Sequence, residues 1–161
     1  MRRKISTLLM TSVVILSALL IPTVLAEKLT PVSGTWSWTA DDISIRPADG
    51  NLHISATEHD TFTGTFEGTG EGPFKMTWHP NGFYAGSGKT VFSGTVEGHS
   101  GTCVIMWVGN TKTEGGYWDL RWMIIGGTGE LANLHGSGRG VETYPGSFEL
   151  ELSGKIHFDP S

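Results

Sequence analysis

The chain is poor in cysteine and has no acceptor sequence for N-linked sugar. Cys103 is the only cysteine among the 161 residues, so the chain by itself forms no internal disulfide. Small exported domains commonly depend on such bridges, and here the hydrophobic core must supply the stability. Cys103 lies in the apolar run TCVIMWV, where a free cysteine is typical of inert packing. An intermolecular bridge or a reactive thiol is the alternative.

Basic residues are scarce outside the first 26 positions. Residues 27–161 hold all 16 acidic residues but only 8 of the 11 basic ones, which gives a formal charge of 8 − 16 = −8. Such a surface repels phosphate backbones, so nucleic acid is not an expected partner. No basic run is present for anionic lipid, so no membrane contact is expected apart from the N-terminal segment.

The sequence also lacks the motifs of several common sites. Its six histidines form no His-x-His or His-x3-His pair and no acidic cluster completes a set, so neither a metal nor a cofactor is expected. The GSGKT at 86–90 lacks the first glycine of a phosphate-binding loop and precedes a strand pattern. No Gly-x-Ser-x-Gly elbow of a hydrolase occurs. We therefore predict no catalytic residue.

The N-terminus has the layout of a secretory signal peptide. A basic head at 2–4 precedes an apolar run over 5–25, and Val-Leu-Ala at 24–26 fits the cleavage pattern. We predict a signal peptide at 1–26. An uncleaved anchor is the alternative, because roughly 20 apolar residues can span a bilayer. Residues 27–161 then form one exported domain, secreted or held in the periplasm or at the cell surface.

The exported part alternates apolar and polar residues, which is the pattern of β-strands. Leu150 and Leu152, for example, alternate with Glu149 and Glu151. No helical periodicity of useful length occurs, apart from a single turn at 130–134. About eight short strands with tight links predict an all-β domain, either a sandwich or a closed barrel.

Glycine is concentrated on one face of the stretch FTGTFEGTGEG, residues 62–72. Its first seven residues recur as FSGTVEG at 92–98, which indicates a repeated strand pair. Glycine removes side-chain volume where a coiled sheet bends over its core. We predict that the glycines make room for tryptophans inside a small barrel, with an open ligand cavity as the alternative. The candidates for the interior, and for binding a small hydrophobic molecule there, are Trp36, Trp38, Phe66, Trp78, Trp118 and Trp122.

Two predicted strands are apolar on both faces, as expected of strands that are covered on both sides. They are TCVIMWV at 102–108 and YWDLRWMII at 117–125. No helix is predicted that could cover the outer face, and exposed apolar patches commonly mark partner sites. We therefore predict a subunit interface of a homo-oligomer at Ile105, Trp107, Tyr117 and Met123.

The stretch IIGGTGELANLHGSGRG at 124–140 resembles a glycine-rich segment of the allene oxide cyclase and dirigent barrels. Together with FTGTFEGTGEG, HPNGFYAGSGKTVFSGTVEGHSGT and GGYWDLRW, it makes residues 33–156 similar to a bacterial and archaeal family of the same superfamily, domain-of-unknown-function family 3224. The resemblance implies a single closed antiparallel β-barrel of about eight strands. The cyclase relatives act on a hydrophobic substrate without a cofactor, but no motif here matches their catalytic residues.

Three functions are compatible with these patterns. The leading hypothesis is an exported barrel that binds a small hydrophobic ligand in its interior. The second is a cofactor-free cyclase or isomerase, which requires a charged group such as Glu71 or Arg121 to point into a cavity. The third is an oligomeric cell-surface structural protein. An outer-membrane barrel is disfavoured, because it would need polar residues inside and apolar residues outside.

Overall fold

A computed structural model describes residues 28–111 and 116–160, and the predicted signal peptide at 1–26 lies outside them. These residues form eight strands, and no helix among them could cross a membrane. Each strand pairs antiparallel with the next, and β8 pairs with β1. The predicted closed antiparallel barrel is therefore confirmed. The strands are β1 Thr30–Ala48, β2 Asn51–Gly64, β3 Phe66–Trp78, β4 Tyr84–Val96, β5 His99–Thr111, β6 Trp118–Gly129, β7 Leu134–Glu142 and β8 Glu149–Phe158.

The strand order gives the barrel two different ends. The closed end holds the β2–β3, β4–β5 and β6–β7 links and is filled by Phe62, Phe66, Phe92, Leu131 and Leu134. The tryptophan end holds the β1–β2, β3–β4 and β7–β8 links, and there Trp38, Met76 and Trp118 are only partly buried.

Phenylalanine rings and one turn seal the closed end. The ring centroids of Phe62, Phe66 and Phe92 lie 5.4 to 6.2 Å apart, within the range of favourable aromatic pairs. The turn predicted at 130–134 is present, and the Leu134 amide donates to the Leu131 carbonyl at 3.2 Å. Leu131 is 0% exposed, so this turn places the Leu131 side chain inside the closed end of the barrel and fills it.

Glycines around the middle of the barrel, here called the glycine belt, make room for two tryptophans. The belt consists of Gly88 on β4, Gly138 on β7 and Gly154 on β8. A Cβ at Gly88 would lie 2.5 Å from Trp107 Nε1, and a Cβ at Gly138 would lie 2.5 Å from Trp122 Cζ2. A packed interior does not tolerate such approaches, so these glycines make room for tryptophans, whereas for the glycines of 62–72 the same prediction was wrong.

The glycines of 62–72 have a different role. Residues 62–68 cross the turn between β2 and β3, whereas residues 92–98 run along β4 into its turn. The two copies are thus no structural repeat. Gly68 and Gly94 face each other across β3 and β4, and a Cβ on either would collide with the backbone of the partner strand. Close backbone approach explains glycine here.

The structure corrects the predicted outer face of β5. Ile105 and Trp107 point into the core, 2% and 8% exposed, so neither is available to a second subunit. Both faces of β5 are apolar. The face with Trp107 lies inside because the glycine belt leaves space for the indole there. Met106 lies on the outer face instead. Tyr117 and Met123 are exposed, and an interface at these two positions stays a prediction.

Candidate functional site at the tryptophan end

Three of the six side chains predicted for the interior belong to the filled core. Trp36, Phe66 and Trp122 are 2%, 2% and 3% exposed. The Trp36 ring stacks on Phe62 with centroids 5.1 Å apart, and the Phe66 and Trp122 rings meet edge to face at 5.9 Å. Their contacts are those of packing.

A small cavity remains inside the tryptophan end, with a volume of about 30 Å³. Roughly 10–15 Å³ is enough for one water molecule, whereas pockets for small organic ligands measure about 300–1,000 Å³. The enclosed space therefore takes one or two water-sized groups, and a larger ligand would have to remain mostly at the mouth. The lining residues are Trp36, Trp38, Glu58, Phe74, Met76, Trp107, Trp118, Leu120 and Leu150.

Among the described residues, Glu58 is the only ionisable side chain that lines this cavity. It is 2% exposed, and Trp107 Nε1 donates a 2.8 Å hydrogen bond to its Oε1. Its Oε2 has no hydrogen-bond partner among the described residues. Burial, and then the neighbouring Asp60, raise the pKa of Glu58 from 4.5 to about 8, although the Trp107 hydrogen bond opposes the rise. Glu58 is therefore mostly protonated at neutral pH and can donate a hydrogen bond from Oε2.

Asp60 is a second buried carboxyl on the same face of β2. It is 3% exposed and accepts a 2.8 Å hydrogen bond from Trp36 Nε1. Its Oδ2 and the Thr90 hydroxyl are buried, and neither has a partner in hydrogen-bond geometry in the part of the chain that the structure describes. Both atoms face Gly70, where a Cβ would lie 3.1 Å from Oδ2 and 2.6 Å from Thr90 Oγ1. Burial raises the pKa of Asp60, while the nearby Thr90 hydroxyl and the Trp36 indole lower it.

The polar residues selected from the sequence lie elsewhere. Glu71 and Arg121 are exposed on the outer face, so neither is the charged group in a cavity that the cyclase hypothesis required. Glu71 Oε2 lies 3.4 Å from His59 Nδ1, and Asp41 Oδ2 lies 3.0 Å from His59 Nε2. The hydrogen bond to Asp41 raises the pKa of His59. No group of three metal-ligating side chains occurs in 28–111 and 116–160.

Sequence reasoning missed Glu58 and Asp60 although a signal was present. On β2 the even positions Ile54, Ala56 and Phe62 are apolar, and Glu58 and Asp60 share their parity. Alternation therefore placed both carboxyls on the inner face. They were overlooked because acidic residues are almost never fully buried without a partner, and the indole partners come from β1 and β5.

Glu142 holds the β7–β8 link in place at this end. It is 4% exposed, and its carboxylate accepts hydrogen bonds from the backbone amides of Trp118, Gly146 and Phe148 at 3.0, 3.0 and 3.3 Å. The link thereby brings the Phe148 ring to Trp38, with centroids 5.0 Å apart. Glu142 thus holds in place the link whose Phe148 ring packs against Trp38 beside the cavity.

Apolar side chains surround the mouth. The β1–β2 hairpin extends past the barrel, and Ile45 on it pairs with Ile54, which pairs with Met76 of the cavity. Ile45 is 57% exposed. Trp78, the sixth residue predicted for the interior, is half-buried at the end of β3 and pairs with Tyr84. Exposed apolar surface of this kind commonly marks a binding site.

Comparison with known proteins identifies the family. A family model described as protein of unknown function (DUF3224) matches residues 28–153. The chain belongs to this family. One solved structure is that of a DUF3224-family protein of unknown function from Shewanella oneidensis MR-1, which is 18% identical in sequence to this chain. The two superpose with a TM-score of 0.67 over 83% of this chain and 100% of that chain. That likeness shows a shared fold. No curated protein matches the chain, and the resemblance to allene oxide cyclase and dirigent barrels stays a prediction.

Proposed function

We propose that the chain is an exported binding protein whose tryptophan end holds a small, uncharged apolar molecule with one hydrogen-bond acceptor. The observation that supports it is the residual cavity of an otherwise filled barrel, lined by Trp38, Trp118 and the buried carboxyl of Glu58. The apolar body of the ligand packs on the partly buried indoles at the mouth. Its acceptor, such as a ketone or ether oxygen, enters the cavity toward Glu58.

Charge favours a neutral ligand. A protonated Glu58 offers a donor to a carbonyl oxygen, whereas an anionic group would enter an interior that already holds Glu58 and Asp60 as poorly solvated acids. The volume of about 30 Å³ limits the inserted part to a terminal group. The signal peptide predicted at 1–26 supports export.

Tryptophan fluorescence tests this proposal. Trp38 and Trp118 line the cavity, so a bound ligand should shift or quench the emission. We expect saturable binding of terpenoid or phenolic ketones at pH 6, and roughly fivefold weaker binding of the matching hydrocarbons, because one hydrogen bond to the ligand contributes on the order of 1 kcal/mol. Equal binding of ketone and hydrocarbon, or no binding of either, would contradict the proposal.

Substitution of Glu58 provides the matched control. Glu58→Gln keeps a donor and an acceptor at the same place, so ketone binding should persist and become independent of pH. Wild-type binding should weaken as pH rises through about 8, because Glu58 then loses the proton that it donates. Glu58→Leu should remove the preference for the ketone. Identical pH profiles of wild type and Glu58→Gln would show that Glu58 does not contact the ligand.

A cofactor-free isomerase is the second candidate, and the raised pKa of Glu58 beside a cavity favours it. A carboxyl that titrates near the working pH is suited to proton transfer. A ketone that binds should then exchange its α-hydrogens with D2O, as followed by NMR. Glu58→Gln should retain binding and abolish exchange. Exchange at the same rate in both proteins would exclude Glu58 as the acid-base group.

A further inference from the structure

A groove of about 840 Å³ crosses the outer surface of the barrel from β3 to β8. Its floor is the sheet backbone along the glycine belt, at Gly88, Gly138 and Gly154. The indoles of Trp107 and Trp122 lie directly behind these glycines on the inner side of the sheet. The apolar surface of the groove therefore comes from the outward side chains of Met106, Val108 and Met123 beside this backbone.

Two rows of outward side chains form the walls of the groove. On one side Val108 pairs with Arg121, and Arg121 pairs with Arg139 on the next strand. On the other side Lys89 pairs with Met106, and Met106 pairs with Met123. Each wall thus combines apolar side chains with cationic ones.

Positive charge is concentrated here, against the trend of the domain. The exported part has 8 basic and 16 acidic residues, yet four basic side chains and no acidic one line the groove among the described residues. Arg139 is paired with Asp119 through contacts of 2.6 and 2.8 Å. Lys75, Lys89 and Arg121 have no ion-pair partner among the described residues. Within the described part of the chain, three cations beside the apolar side chains of the groove thus lack a counter-charge.

We propose that this groove binds a single long-chain carboxylate. Its apolar chain lies across the strands on Met106 and Met123, and its headgroup is held by Arg121 and Lys89. The groove crosses six strands about 4.8 Å apart, so its path along the curved sheet is on the order of 24 Å, and a flexible acyl chain follows this curve. The chain covers Met106 and Met123, and the carboxylate supplies the missing counter-charge.

Other occupants match the groove less well. A second copy docked by two-fold symmetry would place the same cations against each other, and like charges repel. A flat bilayer would reach only the rim of the groove and not the backbone floor between its two walls. A flexible free anion reaches both the floor and the cations.

Energy transfer from tryptophan to dansyl-labelled undecanoate measures the binding. The groove variant Lys89→Gln/Arg121→Gln is compared with Lys28→Gln/Arg46→Gln, which removes the same charge at positions outside the groove. We expect the groove variant to raise the Kd at least about tenfold and the control to change it less than about twofold. Undecanol should compete at least about tenfold more weakly than undecanoate. Circular dichroism and thermal unfolding verify that both variants fold.

Several outcomes would overturn the assignment. They are equal Kd values for the two double variants, equal competition by alcohol and carboxylate, stronger association with anionic vesicles than with the monomeric probe, and a dimer in light scattering that Met123→Glu dissociates. Glu58→Gln should leave probe binding unchanged, because Glu58 lines the interior cavity and not the groove. A loss of probe binding in Glu58→Gln would place the probe at the tryptophan end and also refute the groove.

Discussion

The two ends of the barrel are formed by the same strands but differ in how completely they are packed and in which side chains they bury. On β2, Phe62 lies at the closed end among other phenylalanines. Glu58 lies inside the tryptophan end, two residues from Asp60 on the same face of the strand. At the closed end Leu131 plugs the interior completely, while at the tryptophan end a cavity and partly exposed indoles remain. The fully packed core thus lies at one end, and the partly exposed indoles and buried acids lie at the other. This division is typical of functional sites, which violate local rules that the rest of the fold obeys.

The largest expected effect comes from removing a ring at the closed end. Phe92 is 0% exposed and packs against Phe62 and Phe66, so Phe92→Ala should lower the free energy of unfolding by about 3–5 kcal/mol. Trp118→Ala at the open mouth should cost only about 1–2 kcal/mol, because that ring is already partly hydrated. Denaturant unfolding measures both. A larger loss from Trp118→Ala would reverse the comparison.

The buried acid should give the tryptophan end a pH-dependent stability. In the folded protein Glu58 has a pKa of about 8, against an ordinary value of 4.5. The folded state therefore holds the extra proton between these values, and the free energy of unfolding falls as pH rises from about 5 to 8. Glu58→Gln cannot ionise, so at pH 8 it should be more stable than wild type by roughly 2–5 kcal/mol. Parallel stability curves from pH 5 to 8 would show that the Glu58 carboxyl is well solvated.

A smaller effect is expected where the two ends meet. The Thr90 hydroxyl is 0% exposed and has no partner in hydrogen-bond geometry. Thr90→Val keeps the shape and removes this atom, so it should raise the free energy of unfolding by about 1 kcal/mol. Thr90→Ser, which keeps the hydroxyl, serves as the matched control. A loss of stability in Thr90→Val would indicate that the hydroxyl is paired with Asp60 or with a buried water.

Much of the fold was readable from local pattern. Period-2 alternation predicted the strands, and the turn at 130–134 was also predicted, because each depends on residues close in sequence. The glycines of 62–72 were expected to make room for tryptophans and instead allow close approach of other groups. The candidate site was less accessible. Glu71 and Arg121 were selected as polar candidates and lie outside. Alternation put Glu58 and Asp60 on the inner face, but it did not show that indoles from other strands would pair with them.

The sequence by itself determined which residues alternate, where the chain turns and how acidic the domain is. Both faces of β5 are apolar, so only the closed barrel decided which face lies inside. Trp107 points inward because Gly88 on the neighbouring strand leaves space for its indole. Closure likewise brought Trp107 of β5 to Glu58 of β2, 49 residues apart, whereas Trp36 reaches Asp60 across the neighbouring β1–β2 pair. Burial and pairing across strands are properties of the assembled sheet, and no single strand contains them.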